Sequence, residues 1–182
     1  MARLPGFLKD RKGRDYSLFE LVAAGAIVLV VVGVLPDQIR FYQEQAERSA
    51  MRSTVALLQS ALALRAMAAL VKGDPERIGR LEKENPMDWL AQQPANYAGA
   101  FYGQPLERIS GGGWYFDRSA GRLVYQVWRG RHFEPAADGR PEIRFRVTAD
   151  YGDMEGSGRS ATKELKRLQI GPEKPYRWFD EG

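Results

Sequence analysis

The chain has 182 residues, no cysteine and a formal net charge of +4. That length holds one modest domain plus an anchor, and the lack of cysteine excludes disulfide staples and thiolate metal or redox chemistry. Residues 1–15 alone carry Arg3, Lys9, Arg11, Lys12 and Arg14 against Asp10 and Asp15, so the high pI is local and does not imply a nucleic-acid-binding domain.

Residues 1–15 read as a basic cytoplasmic leader, because Lys and Arg collect on the cytoplasmic side of a membrane span. Residues 16–35 are one apolar run with a single carboxylate, Glu20. Roughly 20 mostly apolar residues suffice to cross a bilayer. No small-x-small cleavage site follows Leu35, so the run is expected to stay as an anchor rather than leave as a secretory signal. The predicted topology puts residues 36–182 outside the inner membrane, in a periplasm.

A single helix is predicted from about Tyr16 to Val71, kinked or broken at Pro36, where proline removes a backbone donor and clashes one turn back. Residues 36–72 form its exported half. There Met51, Val55, Leu58, Leu62 and Ala69 share an apolar arc that Leu57, Ala61, Leu64 and Ala68 extend. Ser49, Arg52, Ser53, Gln59 and Ser60 point away from it. Such an arc needs a cover, and residues 73–182 are expected to supply one as an α+β head.

Gly73 and Pro75 stop the long helix. A short helix follows to about Lys83, then a second from Asn85 (cap) and Pro86 (first turn) to Pro94. The period then switches to two. Residues 113–117, 122–129 and 142–149 read as antiparallel strands, the first two joined by a hairpin loop at 117–121. Residues 150–160 read as an acidic, Gly-rich loop, residues 166–170 as a last strand, and Pro172, Pro175, Tyr176, Trp178 and Phe179 as a tail across the sheet.

Enzymatic readings have little to stand on. His132 is the only histidine, and no nucleophile-elbow pattern accompanies it. The Gly111-Gly112-Gly113 run lacks the Lys-Ser/Thr of a phosphate loop and reads as a turn. Asp150, Asp153 and Glu155 could offer oxygens to calcium, but their spacing is not that of an EF-hand, and a solvated loop is favoured. Trp114, Tyr115, Tyr125 and Trp128 are expected in the core rather than stacking on bases or sugars. No cofactor and no nucleic-acid partner is expected.

Within the apolar run, Glu20 either reaches the headgroup region or pairs with Lys12 or Arg14 of a neighbouring chain. Gly25 and Gly33, with Ala24 and Ala26, allow close helix approach. Tyr16-Ser17-Leu18-Phe19-Glu20-Leu21-Val22 followed by this run resembles the N-terminal segment of type IV pilins and of the pseudopilins of type II secretion. In that class an aromatic residue opens the span, a glutamate follows four residues later, and a proline lies near its end, as Tyr16, Glu20 and Pro36 do here. Residues 85–99 and the terminal Pro175-Tyr176-Arg177-Trp178-Phe179 resemble minor-pilin-like proteins of mannose-sensitive haemagglutinin pilus gene clusters. The resemblance implies a pilin-like fold and a structural, non-enzymatic role as a minor pilin or assembly component. Its implied partners are other pilin or pseudopilin subunits through the N-terminal helix, the inner-membrane assembly platform and the lipid bilayer. It also implies a leader boundary between Asp15 and Tyr16. Asp15 stands where the family has glycine, which favours an alternative: an uncleaved, membrane-tethered periplasmic module that enters no filament.

Overall fold

The computed structural model describes residues 18–74, 76–105, 109, 111–136, 138–153 and 163–179. Lys12, Arg14, Asp15, Tyr16 and Glu155 therefore lie outside the described residues. The chain divides into two units, Met1–Phe41 and Tyr42–Gly182, and the first helix, α1 (Leu18–Val71), contributes to both. Pro36 lies inside α1, so the helix does not break there.

α1 ends where glycine permits it. Gly73 has φ +66°, the left-handed conformation that a Cβ disfavours. Asp74 N then donates to Ala69 O (3.0 Å) and Gly73 N to Leu70 O (3.1 Å), closing a Schellman motif over the last carbonyls. One turn of helix, α2 (Glu76–Leu81), follows and buries Ile78 and Leu81. Asn85 caps the next turn by accepting from Met87 N at 3.2 Å. That turn is a 3-10 helix, Pro86–Trp89, not the longer helix expected to reach Pro94, and extended backbone at Leu90 ends it.

Seven strands follow: β1 (Tyr97–Phe101), β2 (Gly113–Asp117), β3 (Arg122–Gln126), β4 (Phe133–Glu134), β5 (Glu142–Asp153), β6 (Lys163–Pro172) and β7 (Arg177–Trp178). Five build one sheet in the order β1-β2-β3-β5-β6, and β4 pairs with β7 apart from it. The sheet is mixed rather than antiparallel, because β1 runs parallel to β2. A parallel pair needs a crossover in place of a tight turn, here made between Phe101 and Gly113. β3 stops at Gln126, three residues short of the expected end. β5 runs on to Asp153, through the first residues of the expected loop.

Cross-strand register explains the core. Trp114 faces Tyr125, Phe116 faces Leu123, Tyr125 faces Ile143 and Val147 faces Ile170. These residues, with Phe145, form one face of the sheet, and Met51, Leu58 and Leu62 of α1 join the same buried cluster. Each fully buried side chain of this kind contributes about 1.5–3 kcal/mol. The opposite face is covered too, since Tyr115 and Val124 are buried. The apolar arc of α1 is narrower than predicted. Met51, Leu58, Leu62 and Ala69 are buried, but Leu57, Leu64 and Ala68 are exposed. Gln59 is not a solvent residue. Its Oε1 accepts from Ile170 N (2.8 Å) and its Nε2 donates to Leu168 O (3.3 Å), so one amide closes the outer rim of β6.

Candidate functional site

Two features stand out, one in each unit. In the first unit, every described large apolar side chain of Leu18–Val30 is exposed, from Leu18 and Phe19 to Leu29 and Val30. A helix apolar on all sides is stable only in a membrane or among other apolar helices. Glu20 sits in the first turn of α1, where a carboxylate also complements the helix dipole. A Cβ added at Gly25 or Gly33 would meet nothing within 4 Å, so neither glycine is needed for packing within this chain.

By length and composition, the helical stretch Pro36–Val71 is long and apolar enough to cross a membrane, and Leu18–Val30 is a shorter apolar stretch. The sheet already claims the core arc of the longer one through Leu58, Leu62, Ala66 and Ala69. Core helices of water-soluble domains pass the same test of length and composition, and a segment holding a sheet is not free to enter lipid.

In the second unit, two glutamates occupy the upstream continuation of the core arc. Glu44, Glu47, Met51, Val55, Leu58 and Leu62 follow one another at three- and four-residue spacing. Both carboxylates are buried. Glu47 Oε1 accepts from Trp128 N (2.8 Å) and Tyr125 Oη (3.2 Å), and Oε2 accepts from Arg129 N (2.9 Å). Glu44 Oε1 accepts from His132 N (2.8 Å) and Trp178 Nε1 (3.1 Å), and Oε2 lies 2.9 Å from His132 Nδ1. Arg129 Nε donates to Gln43 Oε1 at 3.1 Å. Trp128, Arg129 and His132 lie past the end of β3, so their backbone N–H groups need other acceptors. The two glutamates supply them. Burial, and then the Glu47 charge, pushes the Tyr125 phenol well above its ordinary pKa.

Glycine makes this approach possible. A Cβ on Gly112 would lie 2.7 Å from Glu47 Oε1 and 2.9 Å from Tyr125 Oη. The Gly111-Gly112-Gly113 turn thus belongs to the Glu47 site. His132 stacks on Phe179 (5.0 Å between centroids), and the Arg48 guanidinium lies over the same Phe179 ring, 5.6 Å from its centroid. Phe179 has φ +62°, rare for a bulky residue, and is held there by these neighbours. Every Glu44 oxygen is engaged in fastening a loop and an indole, which makes the His132–Glu44 pair a clasp in form.

No family model, curated protein or solved structure matches this chain.

Asp150 and Asp153, weighed as calcium ligands but expected in a solvated loop, are in a strand instead. Asp150 and Asp153 lie in β5, in register with Arg167 and Lys163 of β6, and among the described residues no group of three possible metal ligands occurs. The Trp114, Tyr115 and Tyr125 rings are buried, whereas Trp128 is 46% exposed. Sequence reasoning missed Glu44 and Glu47; extending the core arc one more turn upstream flags them.

Asp117 ties the β2–β3 hairpin. Its Oδ1 accepts from Gly103 N, Ser119 N, Ser119 Oγ and Ala120 N. Burial pushes its carboxyl up, but the bonds from Ser119, Gly103 and Ala120 outweigh that and hold it below the ordinary aspartate range. A depressed folded-state pKa contributes stability above the unfolded value of about 4 and loses it as pH falls through the folded value. Asp117→Asn keeps the acceptor oxygen and loses the charge, and should cost about 1–2 kcal/mol at pH 7. Denaturation of both proteins across pH should show that gap closing from pH 4 downward. A gap that stays constant would refute the assignment.

Proposed function

We propose that this chain is a minor pilin or pilin-like assembly component of a type IV pilus or type II secretion machine. One transmembrane helix anchors it in the inner membrane, with residues 1–15 cytoplasmic and the α+β head periplasmic. The supporting observation is α1 itself. Over Leu18–Val30 it is apolar on every side and exposed, and from Glu44 onward it is committed to a sheet. Outside the core arc, Leu57, Leu64 and Val71 recur every seven residues and are exposed, a second strip suited to helix packing between subunits. The role is structural, not catalytic. The span holds subunits together and the head presents contacts to their neighbours.

Glu20 pairs with a cation on a neighbouring span and sets the register between helices. Such a buried polar pair is worth about 1–2 kcal/mol in a membrane. Glu20→Ala, and separately deletion of residues 1–14, should cut piliation or secretion in the native host. Normal levels with both changes would end the assembly reading. Asp15 in place of glycine favours the second reading, a tether that keeps its leader. Mass spectrometry of the mature N-terminus separates the two: a new N-terminus at Tyr16 supports filament entry, and an intact leader supports the tether.

A further inference from the structure

We infer that the outer face of α1 in the second unit pairs with the same face of a second copy of this chain, helix on helix about a two-fold axis, a pairing that rests on the anchor reading above and names the partner of its exposed strip. The helix carries two apolar faces there. Met51, Leu58 and Leu62 are buried in the cluster with the sheet. Away from them, Ser53, Leu57, Ser60, Leu64, Met67 and Val71 are all exposed. They follow one another in alternating steps of four and three residues, the spacing of a coiled-coil seam. The four large side chains among them are between 60 and 88% exposed. Ala56, Ala63 and Leu70 flank the seam and are exposed too. Contiguous apolar surface of this kind marks an interaction site, and lipid cannot be its cover, because the same stretch of helix holds the sheet.

The chemistry of the strip selects a second copy. No seam residue is charged, and no acidic residue lies between Glu47 and Asp74, so a charged partner gains nothing here. Arg65 is turned to the head, over the Trp89 ring at 6.0 Å. Ser60 Oγ donates to Ala56 O (3.0 Å), so its proton is used within the helix and asks nothing of a partner. A strip laid on its own copy therefore brings no like charges together, and the period of seven repeats on both sides of the contact. A two-fold pair also closes on itself, which uses up the strip and forms no open array. Size then sets where the pair exists. Its nine residues fall short of the roughly 20–30 a side in a stable interface between dissolved proteins. Confinement of both copies to one bilayer raises their effective concentration, as a linker does, so the pair belongs to the anchored chain.

The absence of native cysteine makes the test clean. Ser60→Cys places one thiol near the middle of the seam, and Glu134→Cys places one on β4, whose side chain is 67% exposed. Each full-length variant is purified, reconstituted into phosphatidylcholine–phosphatidylglycerol vesicles and treated with a short bismaleimide. Ser60→Cys should give a covalent dimer in at least about tenfold excess over Glu134→Cys, and the yield should fall as lipid is added to dilute the chains. Leu64→Glu, introduced into Ser60→Cys, should cut the dimer by about tenfold, because like charges facing each other across an interface repel strongly. Urea unfolding followed by tryptophan fluorescence should leave that variant unchanged, since Leu64 is 69% exposed. Equal cross-linking of the two thiols, or a Leu64→Glu variant that is folded and still cross-links fully, would overturn the pairing. Flotation of the same vesicles reads the anchor separately. Floating chains without a seam-specific dimer overturn the pairing alone, and chains that do not float overturn the anchor and the pairing with it.

Discussion

Glu47→Ala is expected to destabilise the head by about 3–4 kcal/mol. The substitution leaves Trp128 N, Arg129 N and the Tyr125 hydroxyl without their acceptor, and each buried unsatisfied donor costs about 1–3 kcal/mol. Partial hydration of the 127–132 loop recovers some of this. Against a total of about 5–15 kcal/mol for a domain, the loss is large. Glu47→Gln should fall between. It keeps one acceptor oxygen but turns an amide toward a backbone N–H. Tryptophan fluorescence of the full chain in detergent, followed through urea, reads the effect, since Trp114 and Trp178 are buried in the head. A change below about 0.5 kcal/mol, the scale of ordinary surface substitutions, would show that the carboxylate is not holding the loop.

Trp178→Ala should cost about 3–5 kcal/mol, the range for emptying a buried aromatic site. The indole is 2% exposed and packs edge-on against Phe133 at 5.3 Å. Its pairing with Phe133 is half of the β4–β7 ladder, and its Nε1 donates to Glu44. Trp178→Phe separates these contributions. It keeps most of the apolar volume and loses the N–H, so it should cost much less than alanine. In a double-mutant cycle with Glu44→Ala, the two sites should couple by at least about 0.5 kcal/mol. Strict additivity would mean that the indole and the carboxylate act independently.

Local chemistry made much of this fold legible. The long helix was readable to its last turn, because Gly73 stops it, and β2 was readable to the residue. Ile143, Phe145 and Val147 alternate cleanly and are buried as a set. The parallel β1 was not legible. Tyr97-Ala98-Gly99-Ala100-Phe101 has little alternation and takes its place from a partner sixteen residues on, with register shifting across Gly99. The α1 arc was drawn too wide because alanine and leucine at its margin satisfy a helical period whether or not anything covers them. Glu44 and Glu47 were hidden for the opposite reason. Composition marks a glutamate as solvated, and only the six donors brought to them by residues 125–132 and Trp178 make burial tolerable.

The clasp also imposes an order on biogenesis. Glu44 emerges from the ribosome 134 residues before the indole that covers it, a delay of roughly seven to twenty-seven seconds at 5–20 residues per second. Through that interval the two acids stay hydrated. They interrupt an otherwise greasy helical stripe and keep newborn chains from sticking to one another. A copy cut short before Trp178 would never shed that water, and it would present quality-control proteases with an unfinished seam.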